Sequence, residues 1–186
     1  MERGVLRIGL DADRTVVRKR LRQEAGFGLL ELLMAMTMLN IGILALVAAF
    51  NSGAVALQRA SRTTTASALA DTQMELFRAI TYATIGLDST SVTASDTTYR
   101  NDSALGGSLA NDVTVTCSSP LPNQCLPTRT TAGADHRTYR VDTYVTLTTP
   151  TNGRTLKLVT VVVRDGKSLF GTLAREQSTF DLSTGV

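Results

Sequence analysis

From Leu32 to Gln58 the chain carries no charged residue, and the nineteen residues from Leu32 to Phe50 (LLMAMTMLNIGILALVAAF) are interrupted only by Thr37, Asn40 and Gly42. As a helix rising about 1.5 Å per residue, this stretch reaches roughly 29 Å, close to the thickness of a bilayer's hydrocarbon core. A membrane-spanning helix is therefore the expectation. The competing reading is a buried helix of a soluble protein. It requires neighbours apolar enough to enclose the helix, and the sequence has no second segment of comparable hydrophobicity.

The flanks give an orientation. Five basic residues lie between Arg14 and Arg22, whereas Arg59 and Arg62 are the nearest on the other side. The amino-terminal end should stay cytoplasmic, and everything after the helix should lie outside. The formal charge of +3 belongs to this leader: residues 1–26 hold seven basic and four acidic side chains, and the remaining 160 residues hold twelve of each. A basic isoelectric point is thus no argument here for a nucleic-acid partner.

A secretory signal places its small-residue cleavage site after the apolar run. Here the small pair Ala25-Gly26 precedes it, so a cut at that point removes the leader and leaves the helix attached. Just inside the helix stands Glu31, the only ionisable side chain between Phe27 and Gln58. A carboxylate in a membrane segment is costly and implies a partner. Cutting after Gly26 exposes the amino group of Phe27, and in an assembly a neighbouring chain's amine is the simplest such partner. The alternative places Glu31 at headgroup level with no partner.

The string Gly26-Phe27-Gly28-Leu29-Leu30-Glu31-Leu32-Leu33 resembles the cleavage and methylation motif of type IV prepilins and of the pseudopilins of type II secretion. The glycine before the cut, the aromatic after it, the glutamate five residues into the mature chain, the basic leader and the following apolar helix all match in register over about residues 20–58. The resemblance implies that a membrane-embedded prepilin peptidase cuts between Gly26 and Phe27 and methylates the new terminus. It also implies that Glu31 pairs with such a terminus as subunits leave the lipid and enter a helical filament with other pilin subunits, at an inner-membrane assembly platform. Two features depart from major pilins. The first proline is Pro120, so none lies in the membrane helix, and the leader of 26 residues is long.

Beyond Phe50 the helical pattern turns amphipathic. Ala66, Leu69, Ala70, Met74, Phe77 and Ile80 recur at three- and four-residue spacing and predict one apolar stripe, with Asp71, Glu75 and Arg78 elsewhere. One continuous helix of roughly fifty residues is expected, its second half packed on a globular head and its stop marked by Gly86, Asp88 and Ser89. The domain reading is a leader at 1–26, a transmembrane or filament-core helix at 27–58, its amphipathic continuation at 59–88, and a β-rich head at 89–186.

From Ser89 to Thr149 Ser and Thr make up twenty-one of sixty-one residues, and the apolar period changes to alternation. Strands are predicted at Asp112 to Cys117, Thr138 to Thr148 and Arg154 to Arg164, with a weaker one over Ser168 to Phe180. Pro150 to Gly153 supplies one turn and Asp165-Gly166 a second, the latter a two-residue hairpin signal. The expected fold class is α+β: the long helix, and an antiparallel meander with one face on the helix and the other, rich in Thr, Arg and Asp, facing water. Pilin heads share that layout. Cys117 and Cys125 flank SSPLPNQ and, outside the membrane, read most economically as a disulfide; two free thiols are the alternative.

No enzyme is expected. His136 stands beside Arg137 without a nucleophile or acid partner, and no nucleophile motif or phosphate loop is present; Gly106-Gly107 reads as a turn. One histidine and two cysteines exclude a self-contained zinc site of the usual kind, and no cofactor is expected. Asn101-Asp-Ser103 fits a glycosylation sequon. Residues 71–125 sum to −4 and residues 126–167 to +4, which suggests complementary faces on neighbouring subunits, with Arg137 and Arg140 on the basic side. DNA is disfavoured as a partner because the basic strands offer no aromatic stacking platform.

The sequence thus reads as a pilin-like subunit, single-pass in the membrane before assembly and part of a cell-surface filament afterwards. The missing helix proline and the disulfide's position ahead of the last strands point to a minor pilin. A type II secretion pseudopilin shares the chemistry and differs in the machine served. From another class, a signal-anchored membrane protein with a ligand-binding head would keep its leader.

Overall fold

The computed structural model describes residues 28–151, 153–168 and 171–182. It divides into two units, one ending at Ala54 and one beginning at Val55. The long helix α1 (Leu29–Arg78, fifty residues) contributes to both. It opens with Glu31 and Leu32 donating backbone N–H bonds to the Gly28 carbonyl. Glu31, in the first turn, sits where the helix dipole favours a negative charge. Hydroxyls along α1 are satisfied within the helix: Thr37, Thr63, Thr64 and Thr72 each donate to a carbonyl three or four residues earlier.

The expected stripe is present. Ala66, Ala70, Met74 and Phe77 are buried, and Leu69 and Ile80 pack against the same core. Gln73 joins them, fully buried, with its Nε2 donating to the Asn123 carbonyl at 3.2 Å. The helix stops at Arg78, eight residues before the predicted stop signal begins at Gly86. The reason is packing. Ile85 and Leu87 are almost wholly buried core residues, and after a 3₁₀ turn (Tyr82–Thr84) the chain extends to bring them in.

Four strands form one antiparallel meander in chain order: β3 (Thr128–Ala132), β4 (Thr138–Thr148), β5 (Leu156–Asp165) and β6 (Thr172–Phe180). The α+β class is as expected, and β4 has the predicted bounds. The predicted strand from Asp112 to Cys117 shrinks to β2 (Thr114–Val115), which pairs in parallel with β1 (Leu87–Asp88) outside the meander. Its Val113 N–H instead bonds the Val145 carbonyl of β4. The Asp165-Gly166 hairpin is also replaced. The Asp165 carboxylate accepts from the Lys167 and Ser168 N–H groups, and β6 starts only at Thr172. At Pro150 to Gly153 the predicted turn closes, Gly153 N–H donating to the Pro150 carbonyl.

The larger correction concerns the sheet's second face. Residues alternate across a strand, and Tyr139, Val141 and Val145 lie on one side with Val159, Val161 and Val163 opposite them. Arg140, Asp142 and Tyr144 lie on the other, expected to face water. They are buried: Arg140 is 6% exposed, Asp142 0% and Arg164 6%.

What covers them is the Ser/Thr-rich stretch that follows β1. It folds as four short turns, each started by a side chain that accepts from the backbone two or three residues on. Asp88 caps α2 (Ser89–Thr93), Asp96 caps α3 (Thr97–Arg100), and Asp102 and Ser108 cap 3₁₀ turns at Ser103–Leu105 and Leu109–Asn111. Between the last two, Gly106 and Gly107 have φ of 59° and 89°, a left-handed step that side chains disfavour, so the predicted turn is there. We call this capped segment, 88–112, the strap.

Candidate functional site

Two places in the chain carry polar groups in unusual surroundings. The first is the start of α1. Every residue from Leu29 to Leu57 is exposed, Leu29 by 78% and Phe50 by 78%, so the apolar half of the helix has no protein cover among the described residues. It is long and apolar enough to cross a membrane. Glu31 stands in its first turn, exposed like its neighbours. Gly26 and Phe27, the predicted cleavage and methylation positions, lie outside the described residues.

The second is the ionic cluster between strap and sheet. Asp142 Oδ1 accepts from Arg140 Nε and from Thr128 Oγ1, both at 2.8 Å, and its Oδ2 accepts from Arg164. Arg140 reaches on to both carboxylate oxygens of Asp96, and Arg164 to Asp102. Arg175 on β6 closes the far end, donating to Asp102 Oδ1 at 2.8 Å. Six side chains from three strands and the strap thus alternate in sign. The capping aspartates do double duty: each fixes a strap turn with one set of bonds and an arginine of the sheet with another.

The Arg140 guanidinium beside Asp96 holds that carboxyl down at about 2. Burial pushes Asp102 up, but bonds from the Ala104 N–H, Arg175 and Arg164 outweigh it, and the group stays below the ordinary carboxylate range. At neutral pH both are charged.

This arrangement corrects the reading of the −4 and +4 halves as faces for neighbouring subunits. Arg140 is spent on Asp96 and Asp142 within its own head, and Arg164 on Asp102 and Asp142. Asp96 and Asp102 of the acidic half are thus each paired with an arginine of the basic half inside one chain. Arg137 does remain exposed, near Asp135. His136 sits exposed beside it in the β3–β4 turn with φ of 58°.

Cys117 and Cys125 form the expected disulfide, with a Cα–Cα distance of 6.5 Å. A loop this short contributes about 2–3 kcal/mol by restricting the unfolded chain. It presents the Asn123 carbonyl to Gln73 of α1.

No family model, no curated protein and no solved structure matches the chain. Function therefore rests on the residues themselves. Asp96, Asp102 and Asp142 are each held by an arginine, and no group of three or more His, Cys, Asp or Glu side chains that could hold a metal ion occurs among the described residues. What the sequence missed was the strap's role. A signal was present: Arg140 and Arg164 are directly opposed across β4 and β5. Like charges so placed repel unless a carboxylate intervenes.

Proposed function

We propose that the chain is a pilin-like filament subunit, a minor pilin of a type IV pilus or a related filament. One observation carries the reading. A single fifty-residue helix is bare and apolar over its first half and built into a folded head over its second. Such a surface needs lipid or other apolar helices around it. With the Gly26-Phe27 motif and Glu31 in register, both are expected in turn: lipid before assembly, and the helices of other subunits afterwards. The prepilin peptidase removes residues 1–26 and methylates Phe27. Glu31 then aligns the subunit against a neighbour's terminus, and the head stays outside at the filament surface.

Intact mass and amino-terminal sequencing of the membrane-extracted protein test the reading. The expected result is a chain beginning at methylated Phe27. A chain still beginning at Met1 in cells with an active prepilin peptidase would falsify it, and would favour a signal-anchored protein that keeps its leader.

A further inference from the structure

Near the centre of β4 the strap places a tyrosine and an aspartate whose hydrogen bonds do not balance with the usual charges. The Tyr99 hydroxyl lies 2.7 Å from Asp112 Oδ2 and 2.8 Å from the Thr143 carbonyl oxygen. Tyr99 is fully buried and Asp112 is 8% exposed. A phenol has one proton to give, while an ionised carboxylate and a carbonyl only accept. With Asp112 charged, one of these two close oxygen contacts has no hydrogen in it.

The neighbouring donors are committed elsewhere. Asp112 Oδ1 accepts from the Val145 N–H at 3.1 Å, and the Tyr144 hydroxyl is directed at the Tyr99 carbonyl. One added proton on Oδ2 resolves the conflict. Asp112 then donates to the phenol oxygen, the phenol donates to Thr143, and every group in the chain is paired. Asp112 also differs from Asp96, Asp102 and Asp142, each of which has an arginine on its carboxylate. Among the described residues Asp112 forms no ion pair with a cation.

We propose that Asp112 is a proton-binding site: the folded head takes up a proton on its carboxyl in mild acid, and that uptake tightens the strap on β4.

Desolvation acts in the same direction, pushing the carboxyl up to about 6 against the Tyr99 and Val145 bonds. The titratable and charged groups facing the site are Tyr99 from α3 and Tyr144 from β4, their rings stacked at 4.4 Å. Beyond them lies Asp142, neutralised by Arg140 of β4 and Arg164 of β5. The sign follows from the raised value. The stabilisation is fully present below the ordinary aspartate value of 3.8 and is lost as pH rises through about 6. Asp96 and Asp102, whose values are lowered, act oppositely, and their contribution is lost only in stronger acid.

The test uses the full chain in detergent micelles. Asp112→Asn keeps a carbonyl for Val145 and an N–H for the phenol, so it copies the neutral acid. Relative to this variant, the wild-type head should gain about tenfold in its folded-to-unfolded ratio between pH 7 and pH 5. Equal pH dependence in the two proteins overturns the proposal. Carbon-13 NMR of the wild-type Asp112 carboxyl carbon gives a reading that does not depend on the variant folding. A midpoint near 6 supports the site, and one at or below the ordinary aspartate value removes it.

Discussion

Replacing Asp142 by alanine is expected to destabilise the head by about 3–5 kcal/mol, a fall in melting temperature of roughly 10–25 °C for a unit of this size. The magnitude follows from what is left behind. Asp142 is fully buried and holds both Arg140 and Arg164. Without it, two guanidinium groups directly opposed across β4 and β5 lose the carboxylate between them. Asp96 retains Arg140 and Asp102 retains Arg164 and Arg175, so the strap keeps its outer bonds while its centre carries an uncompensated charge. Breaking a buried pair from one side costs far more than the pair's net worth, because the remaining charge stays desolvated.

Two controls set the scale. Arg78→Ala removes partly exposed pairs with Glu75 and Glu176 and should cost no more than about 1 kcal/mol. Thr128→Val removes the bond to Asp142 and the longer one accepted from Arg140, and should cost about 1–2 kcal/mol. Thermal unfolding followed by circular dichroism ranks the three. If Asp142→Ala melts with Arg78→Ala, the cluster has no structural weight. Added salt should narrow the gap little, since buried pairs are poorly screened.

The second large effect lies at the other end of the chain and follows from the proposed function. Glu31→Gln should reduce incorporation into filaments by about a hundredfold, the equivalent of roughly 3 kcal/mol for a carboxylate–amine pair formed in an apolar helix bundle. Glutamine keeps the size and the hydrogen-bonding capacity and removes only the charge. The measurement is the fraction of subunit in sheared filaments against that left in the membrane. The head should be untouched, since Glu31 is exposed and remote in sequence from the buried core residues, so its melting temperature serves as the control. Full incorporation of the glutamine variant would sink the pairing, and Glu31→Asp distinguishes a need for charge from a need for reach.

The sequence was most legible where burial is one-sided or complete. The uncharged run gives α1, the spacing of Ala66, Ala70, Met74 and Phe77 gives its packed face, and the alternation in TYRVDTYVTLT gives β4 with its bounds. It was least legible where polar residues carry the structure. Strand β3 reads Thr-Arg-Thr-Thr-Ala and has no apolar alternation; it is set by pairing with β4. The strap looks like solvated loop because its organisation lies in Asp and Ser caps, and because its buried face is ionic. Arginines on a strand read as solvent-facing unless the covering acids are also counted, and those acids lie up to 73 residues away in the chain. At the candidate assembly site, Glu31 was legible from the cost of a carboxylate in an apolar helix. The proton site at Asp112 emerged only from counting donors in three dimensions.

The order of the strap and the strands along the chain has a temporal consequence. Each strand of the meander pairs with the next in sequence, so the sheet assembles hairpin by hairpin through short loop closures. The strap leaves the ribosome before any of those strands. Asp96 waits 44 residues for Arg140, and Asp102 waits 73 for Arg175. Until the arginines are in place its carboxylates stay hydrated, because burying them unpaired is prohibitive. Docking of the strap is thus expected late in folding, and removing one of its ion pairs should chiefly speed unfolding, a partition that stopped-flow folding and unfolding rates would measure. If the head serves outside the cell as proposed, the rate of opening sets its working lifetime.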